Sequence, residues 1–173
     1  QSFFSGPDRA VAAIDSSPAI FNNTVQGATW GFALVRSGTV LADNVVDRAA
    51  IGVYLAESNA EVVRNWINDT TIFGIRAETS GSPGLRANAI TNAQGTFAVG
   101  IYTTGPVTPT IKGNSIQGIQ ARDGTDAVGA GTPGGDGGLA IGILVDGGSS
   151  ATVMSNMVDS LRAGRGGNGA PNS

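Results

Sequence analysis

The feature that most constrains this chain is a repeat whose length varies on one side only. Six segments share a pattern around an asparagine, with an apolar residue three positions before it and another two after: IFNNTV (20–25), LADNVV (41–46), VVRNWI (62–67), LRANAI (85–90), IKGNSI (111–116) and VMSNMV (153–158). A second strip, built around a glycine, follows the first five: WGFAL (30–34), IGVYL (51–55), FGIRA (73–77), VGIYT (99–103) and IGILV (141–145). From each glycine to the next asparagine the distance is 13, 13, 14, 14 and 14 residues, whereas from each asparagine to its glycine it is 8, 8, 9, 12 and 28. Stacked strands must keep register while one turn is free to bulge, so a parallel solenoid confines its insertions to one side of the repeat. A sandwich of antiparallel sheets has no reason to do so.

Alternation of apolar residues at every second position predicts strands for both strips. For the second strip it predicts an inward set of Trp30, Phe32, Leu34; Ile51, Val53, Leu55; Phe73, Ile75, Ala77; Val99, Ile101, Thr103; and Ile141, Ile143, Val145. The glycine column of Gly31, Gly52, Gly74, Gly100 and Gly142, with Ala10 in the equivalent place, then points outward. It is read as structural, permitting a tight backbone conformation or the close approach of a neighbour.

With N-x-[VI] and x-G-[VIF] recurring in successive coils, the chain resembles the right-handed parallel β-helix repeat family, which includes pectate-lyase-like enzymes and bacterial surface proteins. The resemblance covers essentially the whole chain and implies an all-β, single-stranded, right-handed solenoid of about six coils, a single domain over residues 1–173. Equivalent residues of such a fold lie about 4.8 Å apart along the axis. Asn23, Asn44, Asn65, Asn88, Asn114 and Asn156 are therefore expected to form a structural ladder, each amide donating to the next coil and satisfying polar groups at a buried bend.

The repeat starts and stops mid-coil, with no evident cap such as an amphipathic helix at either end. Open solenoid ends carry unpaired backbone groups, so two arrangements are expected: head-to-tail stacking of copies into a filament, or a segment of a longer surface solenoid.

Composition narrows the chemistry. The chain has no Cys and no His among 173 residues, removing thiol chemistry, the commonest general base and the commonest metal ligand. Charged residues make up 13%, and the net charge of −3 provides no footprint for nucleic acid. No apolar run is long enough to span a membrane. Pectin-active members of the resembled family use clustered carboxylates with an Arg or Lys. Asp43 and Asp47, with Arg48, Arg64 and Asp69, form a possible cross-coil group, but they reproduce no family motif and read more simply as exposed ion pairs. No catalytic residue is assigned and no enzyme activity is expected. Tyr54 and Tyr102 are candidates for stacking sugars, interrupted by Arg76 between them and by Ala33 and Leu144 on either side.

A Gly-rich insertion spans 117–140 and reads as a solvated loop or one lying on a face of the solenoid. Its Asp123, Asp126 and Asp136 are oxygen donors of the kind Ca²⁺ takes, at spacings that match neither an EF-hand nor a calcium-binding nonapeptide. No other cofactor is expected. The sequence thus predicts a non-catalytic structural protein at a bacterial cell surface, assembling with itself. The alternative is a polysaccharide-binding or polysaccharide-degrading domain of a larger surface protein.

Overall fold

Three strands per coil, most of them only three to six residues long, need corners that turn the chain without a loop. A computed structural model, describing residues 2–6, 8–129 and 131–169, shows how this is done. Strands of one sheet end just before Asp15, Arg36, Glu57, Thr79 or Gly105, or two residues before Gly147, those of the next before Asn22, Asp43, Arg64, Ala87, Gly113 or Ser155, and those of the third before Gly27, Arg48, Asp69, Asn92, Gly118 or Ser160. All of these corner residues have positive φ. The left-handed conformation costs a non-glycine residue about 1–2 kcal/mol, most easily borne by Asn and Asp. Stacked backbone bonds offset it, because most corner N–H groups donate to the coil above, as from Arg64 to Arg86 and from Asp69 to Thr91.

The result is an all-β parallel solenoid of about five full turns, with no helix among the described residues. Sheet A stacks Phe3–Ser5, Thr24–Gln26, Val45–Asp47, Trp66–Asn68, Ala89–Thr91, Ser115–Gln117 and Met157–Asp159. Sheet B stacks Arg9–Ile14, Trp30–Val35, Ile51–Ala56, Phe73–Glu78, Phe97–Thr104 and Leu139–Val145. Sheet C stacks Ala19–Phe21, Val40–Ala42, Glu61–Val63, Gly84–Arg86, Thr110–Lys112 and Thr152–Met154. Every pairing is parallel, and the in-register columns of the repeat are the columns of the sheets. One residue from each short strand of sheets A and C points inward, so Val46, Ile67, Ile90 and Ile116 face Leu41, Val62, Leu85 and Ile111 across a fully buried core.

The asparagine column lies at the corner between sheets C and A. The Asn65 side-chain amide donates to Asn88 Oδ1 at 3.1 Å and to the Leu41 carbonyl at 2.9 Å. Its own Oδ1 accepts the backbone N–H and the side-chain amide of Asn44, both at 3.0 Å. The same arrangement runs from Asn23 through Asn114 to Asn156. Each interior side chain, Asn44 through Asn114, thus bonds forward to an amide oxygen and backward to a main-chain carbonyl.

The glycine column does not point outward. A Cβ placed on Gly52 or Gly74 would lie 2.4 or 2.5 Å from Cγ2 of Ile67 or Ile90, which are core residues. The pleat of sheet B breaks at each glycine, so the glycine and the residue after it both face inward. Phe32, Val53, Ile75 and Ile101 accordingly join the main core, whereas Trp30, Ile51, Phe73, Val99 and Ile141 lie outside it in a separate apolar layer. The break recurs in every coil and stacks on itself, so strict alternation fails at the same place five times.

The turn from A to B absorbs the insertions. Its inner column contains Ala28, Ala49, Thr70, Ala93 and Ile119, all buried. Thr70 Oγ1 has no hydrogen-bond partner. An unpaired buried hydroxyl costs about 1–3 kcal/mol of desolvation, so Thr70→Val, which keeps the shape and removes the hydroxyl, is expected to stabilise the solenoid by about 1 kcal/mol. A urea midpoint unchanged or lowered by the substitution contradicts this.

The Gly-rich insertion is folded by backbone hydrogen bonds while much of it stays exposed to solvent. The N–H groups of Gly138 and Gly135 donate to the carbonyls of Arg122 and Thr125, those of Gly164 and Gly167 to Gly138 and Gly135, and those of Gly124 and Ala127 to Arg165 and Asn168. Three extended segments therefore bond to one another at every third residue, the period of polyproline II-type packing. Glycine is required where they touch: a Cβ on Gly124, Gly164 or Gly167 would lie 1.8 to 2.0 Å from a facing carbonyl oxygen.

Candidate functional site

Sheet B carries side chains on its outer side from the position before each glycine and from the second position after it. In the first of these columns stand Arg9, Trp30, Ile51, Phe73, Val99 and Ile141, and in the second Ala12, Ala33, Tyr54, Arg76, Tyr102 and Leu144. The Trp30 ring stacks on Tyr54 with centroids 4.5 Å apart, and Phe73 stacks on Tyr102 at 5.1 Å. Phe97 meets Phe73 and Tyr102 edge to face, at 6.0 and 6.4 Å. The track that Tyr54 and Tyr102 alone leave broken is thus filled from the neighbouring column.

Cations sit on the rings. Arg9 lies 4.5 Å from the Trp30 centroid, and Arg76 lies 5.3 Å from Phe73 and 5.8 Å from Tyr102. Arg76 pairs with Glu78, which also accepts the Tyr54 hydroxyl. The Arg76 Nε is buried without a hydrogen-bond partner. Burial first, and then the bond to Glu78, pushes the Tyr54 phenol up to about 12. An unfolded tyrosine ionises near 10. A raised folded value means that Tyr54's contribution to stability is complete below pH 10 and is lost as the pH climbs towards 12. Alkaline unfolding of the Tyr54→Phe variant is therefore expected to be less steep across pH 10–12 than that of the parent; equal slopes by circular dichroism contradict the assignment.

The residues singled out for chemistry in the sequence are placed as follows. Arg64 makes a two-pronged bond to Asp43, at 2.8 and 2.7 Å, and Arg48 bonds its sequence neighbour Asp47 at 3.1 Å. Bonding to Arg64 lowers the Asp43 carboxyl, and Asp47 is lowered first by the Asn68 amide and then by Gln26. Asp43–Arg64 is a corner ion pair between consecutive coils and Asp47–Arg48 one within a coil, with Asp69 at a corner of its own. Asp123 Oδ1 accepts the Arg165 N–H at 2.8 Å and Asp126 Oδ1 the Asn168 N–H at 2.6 Å, so both carboxylates fasten the Gly-rich bundle. Asp136 makes no side-chain hydrogen bond or ion pair among the described residues. No group of three or more acidic, His or Cys side chains converges there or elsewhere among them.

Sequence alternation alone misses Trp30, Phe73 and Phe97 as members of the outer face. The signal that betrays them is Arg9, a charge in register with Trp30 and therefore out of place in a core column.

Residues 7–130 match the family model described as periplasmic copper-binding protein (NosD). The chain belongs to the NosD family. Searches of curated proteins and of solved structures gave no match. The family description raises the question of copper, and the donor set answers it. Copper is held by imidazole, thiolate and thioether ligands. This NosD-family chain has no His and no Cys, and its two methionines, Met154 and Met157, both lie outside the matched segment. The residues present do not fit a copper centre.

Proposed function

We propose that this NosD-family domain is a non-catalytic glycan-binding scaffold working outside the cytoplasm, at a cell surface, with the outer face of sheet B as its binding platform. The observation that carries the reading is the run of half-buried Trp30, Tyr54, Phe97 and Tyr102 on one rigid face, over a buried Phe73 and with Arg9 and Arg76 lying against the rings. Rings held by stacked strands give large contact area for little loss of freedom, and their faces suit the apolar side of a pyranose. Glu78 is the carboxylate beside these rings, and it is tied to Arg76 and Tyr54, leaving no second carboxylate paired with it for acid and base roles. The family's periplasmic description supports a location outside the cytoplasm.

The test uses Trp66→Phe protein, so that Trp30 alone fluoresces, titrated with neutral and uronate-containing oligosaccharides. Trp66 is 47% exposed on sheet A and its loss leaves the face intact. Saturable quenching that Tyr54→Ala and Tyr102→Ala weaken is expected. Emission unmoved by every oligosaccharide overturns the proposal.

A second reading is self-assembly. Apolar side chains stay exposed on both terminal coils, Ile14 and Phe21 at 46% and 45% on one, Val153 and Val158 at 48% and 42% on the other. Head-to-tail copies would cover them. Sheet A has seven strands where B and C have six, so gapless stacking requires Phe3–Ser5 to leave its place. Negative-stain images of long threads support assembly, and discrete short rods at all concentrations exclude it.

A further inference from the structure

Where the A-to-B turn lengthens from coil to coil, it opens a groove. Its larger lobe, about 370 Å³, is lined by Thr71, Ile72, Gly95, Thr96, Phe97 and Arg122. A second lobe of about 190 Å³ lies between Gln94, Gln120, Arg122, Asp123 and Arg162. The backbone keeps the floor low: a Cβ on Gly95 would lie 2.3 Å from the Thr71 carbonyl oxygen. Arg122 belongs to both lobes, and the Gly-rich bundle that starts at its carbonyl holds the outer wall.

The charges do not cancel in this groove. Arg162 stands 3.8 Å from Asp123, whose other oxygen accepts the Arg165 N–H. Among the described residues the Arg122 guanidinium has no ion pair or side-chain hydrogen bond, nor do the Gln94 and Gln120 amides. A free cation between two free amides, in a protein of net charge −3, is a local reversal of sign. Phe97 forms the end of the aromatic face and a wall of the groove at once.

We propose that this groove is the acidic-sugar subsite of the platform, Arg122 taking a uronate carboxylate while Gln94 and Gln120 take ring hydroxyls. The inference rests on the glycan-binding reading and deepens it. The planar fork of an arginine matches the two oxygens of a carboxylate, and the larger lobe is within the size of ordinary ligand sites, about 300–1,000 Å³. A glycan lying along the rings of sheet B runs off Phe97 into the groove.

The experiment compares Kd values of the parent and of Arg122→Gln for an oligogalacturonate, a sulfated oligosaccharide and a neutral oligosaccharide of equal length. Arg122 is exposed, its internal hydrogen bonds come from its backbone and its side chain makes none among the described residues, so the variant keeps the fold. The parent is expected to prefer the oligogalacturonate over the neutral sugar by about tenfold or more, a preference that Arg122→Gln abolishes while neutral binding persists. Equal binding of acidic and neutral sugars by the parent, or a preference that survives in Arg122→Gln, overturns the subsite and leaves the platform standing. Preference for the sulfated sugar over the uronate overturns the carboxylate assignment. Failure of every sugar to bind removes the platform and the subsite together.

Discussion

Asn65→Ala is expected to destabilise the solenoid by about 3–5 kcal/mol, several times the cost of Asn23→Ala. Asn65 is 1% exposed, and its Oδ1 is the acceptor for the backbone N–H of Asn44. Alanine leaves that N–H buried with no partner, a penalty of about 1–3 kcal/mol on its own. It also removes the amide donated to the Leu41 carbonyl and to Asn88 Oδ1, and opens a void in a layer that cannot collapse without breaking the register of two sheets. Asn23 stands at the start of the ladder: it donates to Asn44 Oδ1, and no described residue donates to its own side chain. Removing it costs about 1 kcal/mol, the ordinary value of a partly exposed hydrogen bond. Chemical denaturation of the two variants separates the ladder from mere amide loss. Equal midpoints contradict the idea that interior asparagines act by satisfying their neighbours' backbone.

The lengths of the repeat carried most of the architecture. Steady 13- and 14-residue spacings from glycine to asparagine correspond to the B-to-C-to-A path, and the spread from 8 to 28 residues is the A-to-B turn where the bundle and the groove lie. What alternation misassigned was the facing of the residues around the glycines. A period-two rule presumes an unbroken pleat, and here the pleat resets once per coil, turning Gly74 inward and sending Phe73 out. The candidate site is therefore half legible in the sequence: alternation puts Tyr54 and Tyr102 on the right face, assigns Trp30 and Phe73 to the core and gives no place to Phe97.

The Gly-rich insertion was opaque for a different reason. Its partners for hydrogen bonding are backbone groups about one coil away, Arg165 for Gly124 and Asn168 for Ala127, and its repeat is three, a period that apolar patterning does not register. A composition too poor in apolar residues to form a core alone folds here because an adjacent solenoid supplies the first rung, at Ala121 against Arg162. The bundle in turn fixes Arg122 and Asp123 beside the platform, so the longest insertion and the free cation occur together.

Gly74→Ala is expected to cost about 2 kcal/mol. The added methyl would lie 2.5 Å from Ile90 Cγ2 and 2.6 Å from the Gly100 carbonyl oxygen, both distances that a real Cβ does not adopt. Overpacking of this kind costs about 1–3 kcal/mol, and the gain of about 0.5–1 kcal/mol from stiffening the unfolded chain offsets part of it. The two clashes differ in kind. Ile90→Ala removes the side-chain contact but leaves the carbonyl, which is fixed by the stack, so the double variant Gly74→Ala with Ile90→Ala should recover little of the loss; full recovery assigns the tightness to the side chain and contradicts an inward backbone constraint. Gly129→Ala, whose nearest neighbour would be 3.5 Å away, serves as the neutral control. Ala10 holds the equivalent register in the edge strand of sheet B, and the methyl admitted there has no structural explanation. At Gly31, Gly52, Gly74 and Gly100 the crowding atoms all come from the following coil, an inward side chain of sheet A and a glycine carbonyl of sheet B, and the cost follows from that confinement rather than from any property of the residue alone.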